Sequence, residues 1–143
     1  MPTSDKGLQK LANFKQLQDL GLTATSVTDA GLKEVAALKT LKRLGLDGTL
    51  VSDAGLRELA GMKLQQLNIP RRAQTDLGLK NYLGAIEPPA ELYLVGWQIT
   101  DAGLKELAGL KGLKKVSLAK TSVTDAGVKE LQAAVPDCKI ERR

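Results

Sequence analysis

Thr100-Asp101-Ala102-Gly103-Leu104-Lys105-Glu106-Leu107-Ala108-Gly109-Leu110-Lys111-Gly112-Leu113-Lys114-Lys115-Val116-Ser117-Leu118-Ala119-Lys120-Thr121-Ser122-Val123 is one complete copy of a unit that recurs from end to end of the chain. Anchored on the aspartate, copies start at Asp5, Asp29, Asp53, Asp76, Asp101 and Asp125, with gaps of 24, 24, 23, 25 and 24 residues. A period in the twenties signals a solenoid of stacked repeats. Each unit reads as a short helix, a turn, a very short strand and a return loop.

In the quoted copy the helix is expected from about Asp101 to Leu110. Thr100 is its N-cap, since the hydroxyl can accept from an orphan N–H of the first turn. Ile99 and Leu104 then sit at staple spacing, as do Val27/Leu32, Val51/Leu56 and Val123/Val128. Asp101 follows in the first turn, where a carboxylate suits the positive end of the helix dipole. Leu104, Leu107, Ala108 and Leu110 form one apolar stripe, with Lys105 and Glu106 pointing the other way.

After the helix comes a strand, Val116-Ser117-Leu118, with counterparts at Leu20–Leu22, Leu44–Leu46, Leu67–Ile69 and Leu92–Leu94. So short a strand cannot hide its own apolar side, whereas stacked neighbours bury a continuous core. Parallel strands stack about 4.8 Å apart while helices need about 10 Å. The helices must therefore splay. The expectation is a horseshoe segment with a parallel sheet on its concave face and helices on its convex face.

At 143 residues the chain is one domain's worth, 1–143, and aromatics make up only 3%, so the core must be aliphatic. No apolar run is long enough to span a membrane, and, with the charged-then-apolar pattern absent, no secretory leader is expected in these residues. The start at Met1-Pro2 is expected to be either a trimmed edge or a first unit serving as its own cap. Histidine is absent and Cys138 is the single cysteine, which excludes an intramolecular disulfide and the usual zinc sites. The compartment is left open.

Units differ in instructive ways. In the first, running from Thr3, Phe14 replaces an aliphatic residue and is expected to thicken that end of the core. The threonine third after the strand (Thr25, Thr49, Thr121) is expected to form an inward column. In the third unit that place falls to Arg72, which is expected to stay outside in a bulged Pro70–Gln74 loop, since burying a lone charge is costly. In the fourth it falls to Trp97, which either plugs the gap or stands out beside Arg71 as an anchor. The last unit ends in Glu141-Arg142-Arg143, charges that would blunt a sheet edge.

The strand pattern Leu-x-x-Leu-x-Leu followed by threonine, with the helix signature Thr-Asp-Ala-Gly-Leu-Lys-Glu-Leu, resembles leucine-rich repeat proteins. The helix-bearing units are most similar to the ribonuclease-inhibitor-like and cysteine-containing types, in bacterial versions carrying threonine in the ladder. The resemblance covers Thr3 to Ile140 and departs from the pattern at Arg72 and Trp97. It implies an α/β leucine-rich repeat solenoid of six ~24-residue units. It also implies a non-catalytic binding scaffold working through its concave strands.

The aspartates could stack as a cation site, but each has its own helix dipole to serve, so no metal is expected. The repeated glycines lie inside separate helices, where they permit close packing, and are not a phosphate loop. Lys39, Lys42, Arg43, Lys63, Lys111, Lys114 and Lys115 could make a basic edge. Aromatics to stack bases are scarce there and glutamates alternate nearby, which favours a solvated surface over a nucleic-acid partner.

Outward positions on the concave side include Asp19, Gly21, Gly45, Gln66, Ser117 and Ala119. Tyr93 and Val95 are unusually apolar for such places, and aromatic and arginine anchors dominate interfaces. Tyr93 is either a contact residue, with Arg43, Asn68, Glu91 and Lys115, or an idle strand tyrosine. No residue set assembles a catalytic site or calls for a cofactor, because a nucleophile would lack a histidine base. The expected function is a protein- or peptide-binding scaffold. A structural spacer within a larger receptor or sensor and an anion or nucleic-acid binder are the alternatives.

Overall fold

A computed structural model of the chain describes residues 4–142, the side chain of Ala12 excepted. The expectations at Met1, Pro2, Thr3 and Arg143 lie outside the described residues. The chain forms two compact units: Met1–Ala73 with Asn81–Glu87, and Gln74–Lys80 with Pro88–Arg143.

The first unit holds helix α1 (Asp5–Leu8, running into a 3-10 turn Gln9–Asn13), strand β1 (Asp19–Gly21), helix α2 (Asp29–Ala36), strand β2 (Arg43–Gly45), a 3-10 helix Gly55–Leu59, strand β3 (Gln66–Asn68) and a 3-10 turn Arg71–Ala73. Helix α3 (Asp76–Ala85) follows. The second unit holds strand β4 (Glu91–Tyr93), helix α4 (Asp101–Leu107), strand β5 (Lys115–Ser117), helix α5 (Asp125–Ala134) and strand β6 (Lys139–Glu141). Each unit carries a parallel sheet, β1-β2-β3 and β4-β5-β6, with Leu20↔Leu44↔Leu67 and Leu92↔Val116↔Ile140 in register. Leu44 and Leu46 are 2% and 0% exposed, so the piled leucines form the dry interior that the period required.

Each strand begins one residue earlier than the leucine pattern suggests. The second leucine of each pair still donates across the stack: Leu22 N–H to Gly45 O at 2.8 Å, Leu94 N–H to Ser117 O at 2.9 Å. The ladder therefore reaches past the strand that the backbone pattern defines.

The staple pairs Val27/Leu32, Val51/Leu56 and Ile99/Leu104 are buried, and Thr28, Thr100 and Thr124 cap their helices as expected. The third repeat forms a 3-10 helix instead of an α-helix. It is the copy with one residue fewer, and five residues cover about 10 Å as a 3-10 helix but about 7.5 Å as an α-helix. The stretched form spans the same rung with less chain.

The ladder threonines close the turn after each strand: Thr25, Thr49 and Thr121 hydroxyls donate to the carbonyls of Leu22, Leu46 and Leu118 at 2.7, 2.8 and 2.7 Å. In the third repeat the turn slips by one residue, so that Ala73 (0% exposed) fills the interior and Arg72 stays in solvent. Trp97 is 8% exposed, so it plugs the core and does not stand out as an anchor. Phe14 reverses its expectation. At 57% exposed it does not thicken the core.

Candidate functional site

The recurrent Thr-Asp-Ala-Gly motif acquires its meaning between rungs. In the first unit, Asp5 Oδ1 accepts from Thr28 N–H at 2.9 Å and Oδ2 from the Thr28 hydroxyl at 2.6 Å. Asp29 holds Ser52 in the same way, at 2.7 and 2.6 Å. In the second unit Asp76 grips Thr100 at 2.8 and 2.7 Å, and Asp101 grips Thr124 at 2.8 and 2.5 Å. The carboxylates thus fasten the next repeat's helix cap, which corrects the expectation that each serves chiefly its own dipole.

The glycine follows from this seam. A Cβ on Gly31, Gly55, Gly103 or Gly127 would overlap a carboxylate oxygen of Asp5, Asp29, Asp76 or Asp101 respectively. With both oxygens engaged by neutral donors, these carboxylates act as mechanical joints.

Asp125 has the same place in the last repeat, and there Arg142 meets it. One guanidinium nitrogen pairs with the Asp125 carboxylate, and Nη2 donates to Val123 O at 3.0 Å. The equivalent carbonyls Val27 O and Ile99 O accept from the next repeat's backbone, Leu50 N–H and Ser122 N–H. Arg142 therefore supplies from a side chain what another rung supplies elsewhere.

The strand faces carry most of the sequence-nominated residues. On the first unit, Asp19, Arg43 and Gln66 form one row and Gly21, Gly45 and Asn68 the next. The two glycines leave a shallow hollow of about 180 Å³ beside them. Arg43 Nη1 lies 2.9 Å from Asp19 Oδ1, both side chains being more than half exposed. Such a pair contributes little to stability but fixes the guanidinium. Arg71 is exposed on the 3-10 turn after β3.

On the second unit the rows are Glu91, Lys115, Lys139 and Tyr93, Ser117, Glu141. Gly96 N–H donates to Ala119 O at 2.9 Å, which sets Val95 and Ala119 side by side beyond them. Tyr93 is 58% and Val95 49% exposed. The Tyr93 hydroxyl donates to Glu91 Oε2 at 2.5 Å, and that carboxylate holds its pKa above the usual tyrosine value. Lys115 Nζ stands 5.7 Å from the Tyr93 ring centroid and 3.6 Å from Glu141 Oε1, which also meets Lys139 at 3.4 Å. The ring is thereby held at its tip and over its face.

The structure thus brings Glu91, Tyr93, Val95 and Lys115 together on one sheet and sets Arg43 and Asn68 on the other. Trp97 leaves the set because it is buried. Ser117, expected to face outward in solvent, is 7% exposed. It is the small residue between Tyr93 and Glu141, whose larger side chains flank it. Lys139 and Glu141 were missed as members of this face, since the last strand's leucine pattern is eroded to Cys138-Lys139-Ile140.

No family model matches the chain, and no curated protein does. Among solved structures it is similar to an internalin (inlF) from Listeria monocytogenes, with a TM-score of 0.55 at 17% sequence identity. The match covers 93% of this chain and 49% of that one, so the chain spans about half the length of the structure it resembles. At that identity the likeness is one of fold. The parallel strands in small sheets, the alternating helices and this neighbour together make the chain an α/β leucine-rich repeat solenoid.

Proposed function

We propose that the chain is a non-catalytic scaffold that binds a protein or peptide through its strand face, with Tyr93, Val95, Glu91 and Lys115 as the principal contacts. The observation that carries this reading is the exposure of Tyr93 and Val95 side by side on the strand face of the second unit, where the neighbouring Leu92 and Leu94 are buried. A preorganised aromatic loses little conformational freedom on binding, so it is suited to anchor a partner. Arg43, Asn68 and Arg71 form a second, polar contact group on the first unit. The leucine-rich repeat fold supports a binding role in general terms. The helix-bearing rungs support the ribonuclease-inhibitor-like type, and we read residues 1–143 as one repeat domain.

The test is selection of peptides from a displayed library against the intact chain, followed by titration against Tyr93→Ala and Val95→Ser. Truncating an anchor costs about 2 kcal/mol or more, or roughly 30-fold in affinity. Selected peptides that bind both variants as well as the parent chain would remove the strand face from consideration. A chain that yields no peptide in repeated selections favours the spacer reading.

A further inference from the structure

We propose that the edge of the first unit, where helices turn into strands, binds single-stranded nucleic acid. The sequence argued against this because it offered no aromatic at the basic edge. The structure supplies one. Phe14, expected in the core, stands 57% exposed next to Lys15.

Three connecting segments run side by side there. The Thr40 hydroxyl donates to Lys15 O at 3.0 Å and to Leu17 O at 2.8 Å. Lys42 N–H donates to Gln18 O at 2.7 Å and Gln65 N–H to Lys42 O at 2.8 Å. Lys15 and Lys39, each four residues before its strand, occupy equivalent places on successive rungs, whereas the shorter third repeat puts Lys63 three residues before β3, in the place that Thr40 takes before β2. Lys42 adds a further charge on the strand side. All four lysines are exposed, and none forms a salt bridge among the described residues. The acidic groups on the same side are Glu34 on α2, Glu58 beside Lys39 and Glu87, while Asp19 is already paired to Arg43. The edge keeps an excess of positive charge, four lysines against three glutamates, which suits a polyanion.

Phe14 decides which polymer. Its ring borders an open hollow with Asn13, Lys15, Gln16 and Leu17. Asn13 and Gln16 are exposed amides, able to pair with the edge of a base stacked on the ring. An anionic membrane would call for an apolar face around the ring instead of amides.

The experiment is fluorescence anisotropy of a labelled oligonucleotide of about 12 nucleotides with the full chain, between about 50 and 200 mM salt. Neutralising four phosphates on a single strand gives a log–log salt slope of about −2.8, or a loss of about 50-fold over that range. Lys15→Gln/Lys39→Gln/Lys63→Gln should reduce the slope to about −0.7. Phe14→Leu keeps an apolar side chain but removes the stacking ring, and should weaken the oligonucleotide by about 5- to 150-fold. A base-free polyphosphate should bind parent and Phe14→Leu alike. Far-UV circular dichroism confirms that each variant is folded, and Phe14→Tyr, which restores a ring, should restore affinity if Phe14→Leu is lost to misfolding. Absence of binding at 50 mM salt, an unchanged slope in the triple variant, or equal affinity of parent and folded Phe14→Leu each overturns the proposal. So does capture by anionic lipid vesicles in preference to the oligonucleotide. The strand-face reading is untouched by any of these results.

Discussion

The joint between Asp76 and Gly103 makes a prediction that no single repeat could make. Asp76 lies one repeat before the Thr100 cap and holds it by two hydrogen bonds, 2.8 Å from the N–H and 2.7 Å from the hydroxyl. Gly103 has no side chain because the Asp76 carboxylate occupies that space; the next obstacle, Ile99 Cβ, is 3.4 Å away. Hydrogen bonds to a charged group contribute about 1.5–3 kcal/mol each, and partial solvent access puts this pair near ~2 kcal/mol together. Asp76→Ala should therefore destabilise the chain by roughly 2 kcal/mol. Gly103→Ala forces the carboxylate to swing away or to overlap. It loses much of the same ~2 kcal/mol, offset by about 1 kcal/mol from the better helix propensity of alanine. In the Asp76→Ala background the space is empty, so the same Gly103→Ala change should stabilise by about 0.5–1 kcal/mol. The double-mutant cycle should show a coupling of ~2 kcal/mol, well beyond the few tenths expected of independent sites. Urea unfolding of the four proteins, with slopes compared, measures it. If Gly103→Ala has the same sign and size in both backgrounds, the carboxylate is not what keeps the position glycine.

The Thr124 hydroxyl, then its N–H, with the nearby Arg142 charge, holds the Asp101 carboxyl below its usual 3.8. A depressed folded value means that the stabilisation is fully present above the unfolded value and lost as the pH falls through the folded one. The stability gap between parent and Asp101→Asn should thus shrink below about pH 4, and a gap that stays constant with pH would contradict the assignment. Lys120 sits at φ 61°, where glycine carries no steric penalty, so Lys120→Gly should raise stability by about 0.5–1 kcal/mol; a decrease in the urea midpoint would show that its side chain contributes more than the backbone costs. Removing the Arg142 clasp on Asp125 and Val123 should cost only ~0.5–1 kcal/mol, but it should speed amide exchange at Leu118, whose N–H reaches Glu141 O at 2.6 Å. Unaltered exchange at Leu118 in Arg142→Ala would mean that the last strand does not depend on the clasp.

Much of the site was legible because alternation along a strand is a local property. Tyr93 and Val95 are exposed because Leu92 and Leu94 are inside, and period two permits nothing else. Ser117 shows where that logic stops: its direction was right, but its exposure depended on how large its neighbours across the ladder were. Phe14 and Trp97 show the same limit from the other side. Both are large aromatics at non-aromatic places, yet one lies outside and the other in, a difference that no local pattern carries.

The sequence by itself determined the rhythm, the parallel stacking and the aliphatic interior, because a rung too thin to bury its own leucines has no stable alternative to being piled on its copies. It also placed the caps and staples, whose partners lie a few residues away. What it could not determine was which copy of a repeated residue meets which. In a periodic chain, an aspartate beside its own helix and an aspartate reaching the next helix leave the same spacing in the sequence. Tertiary structure decided that Asp76 reaches forward to Thr100 and fills the space over Gly103, because only stacking brings groups one period apart within 3 Å.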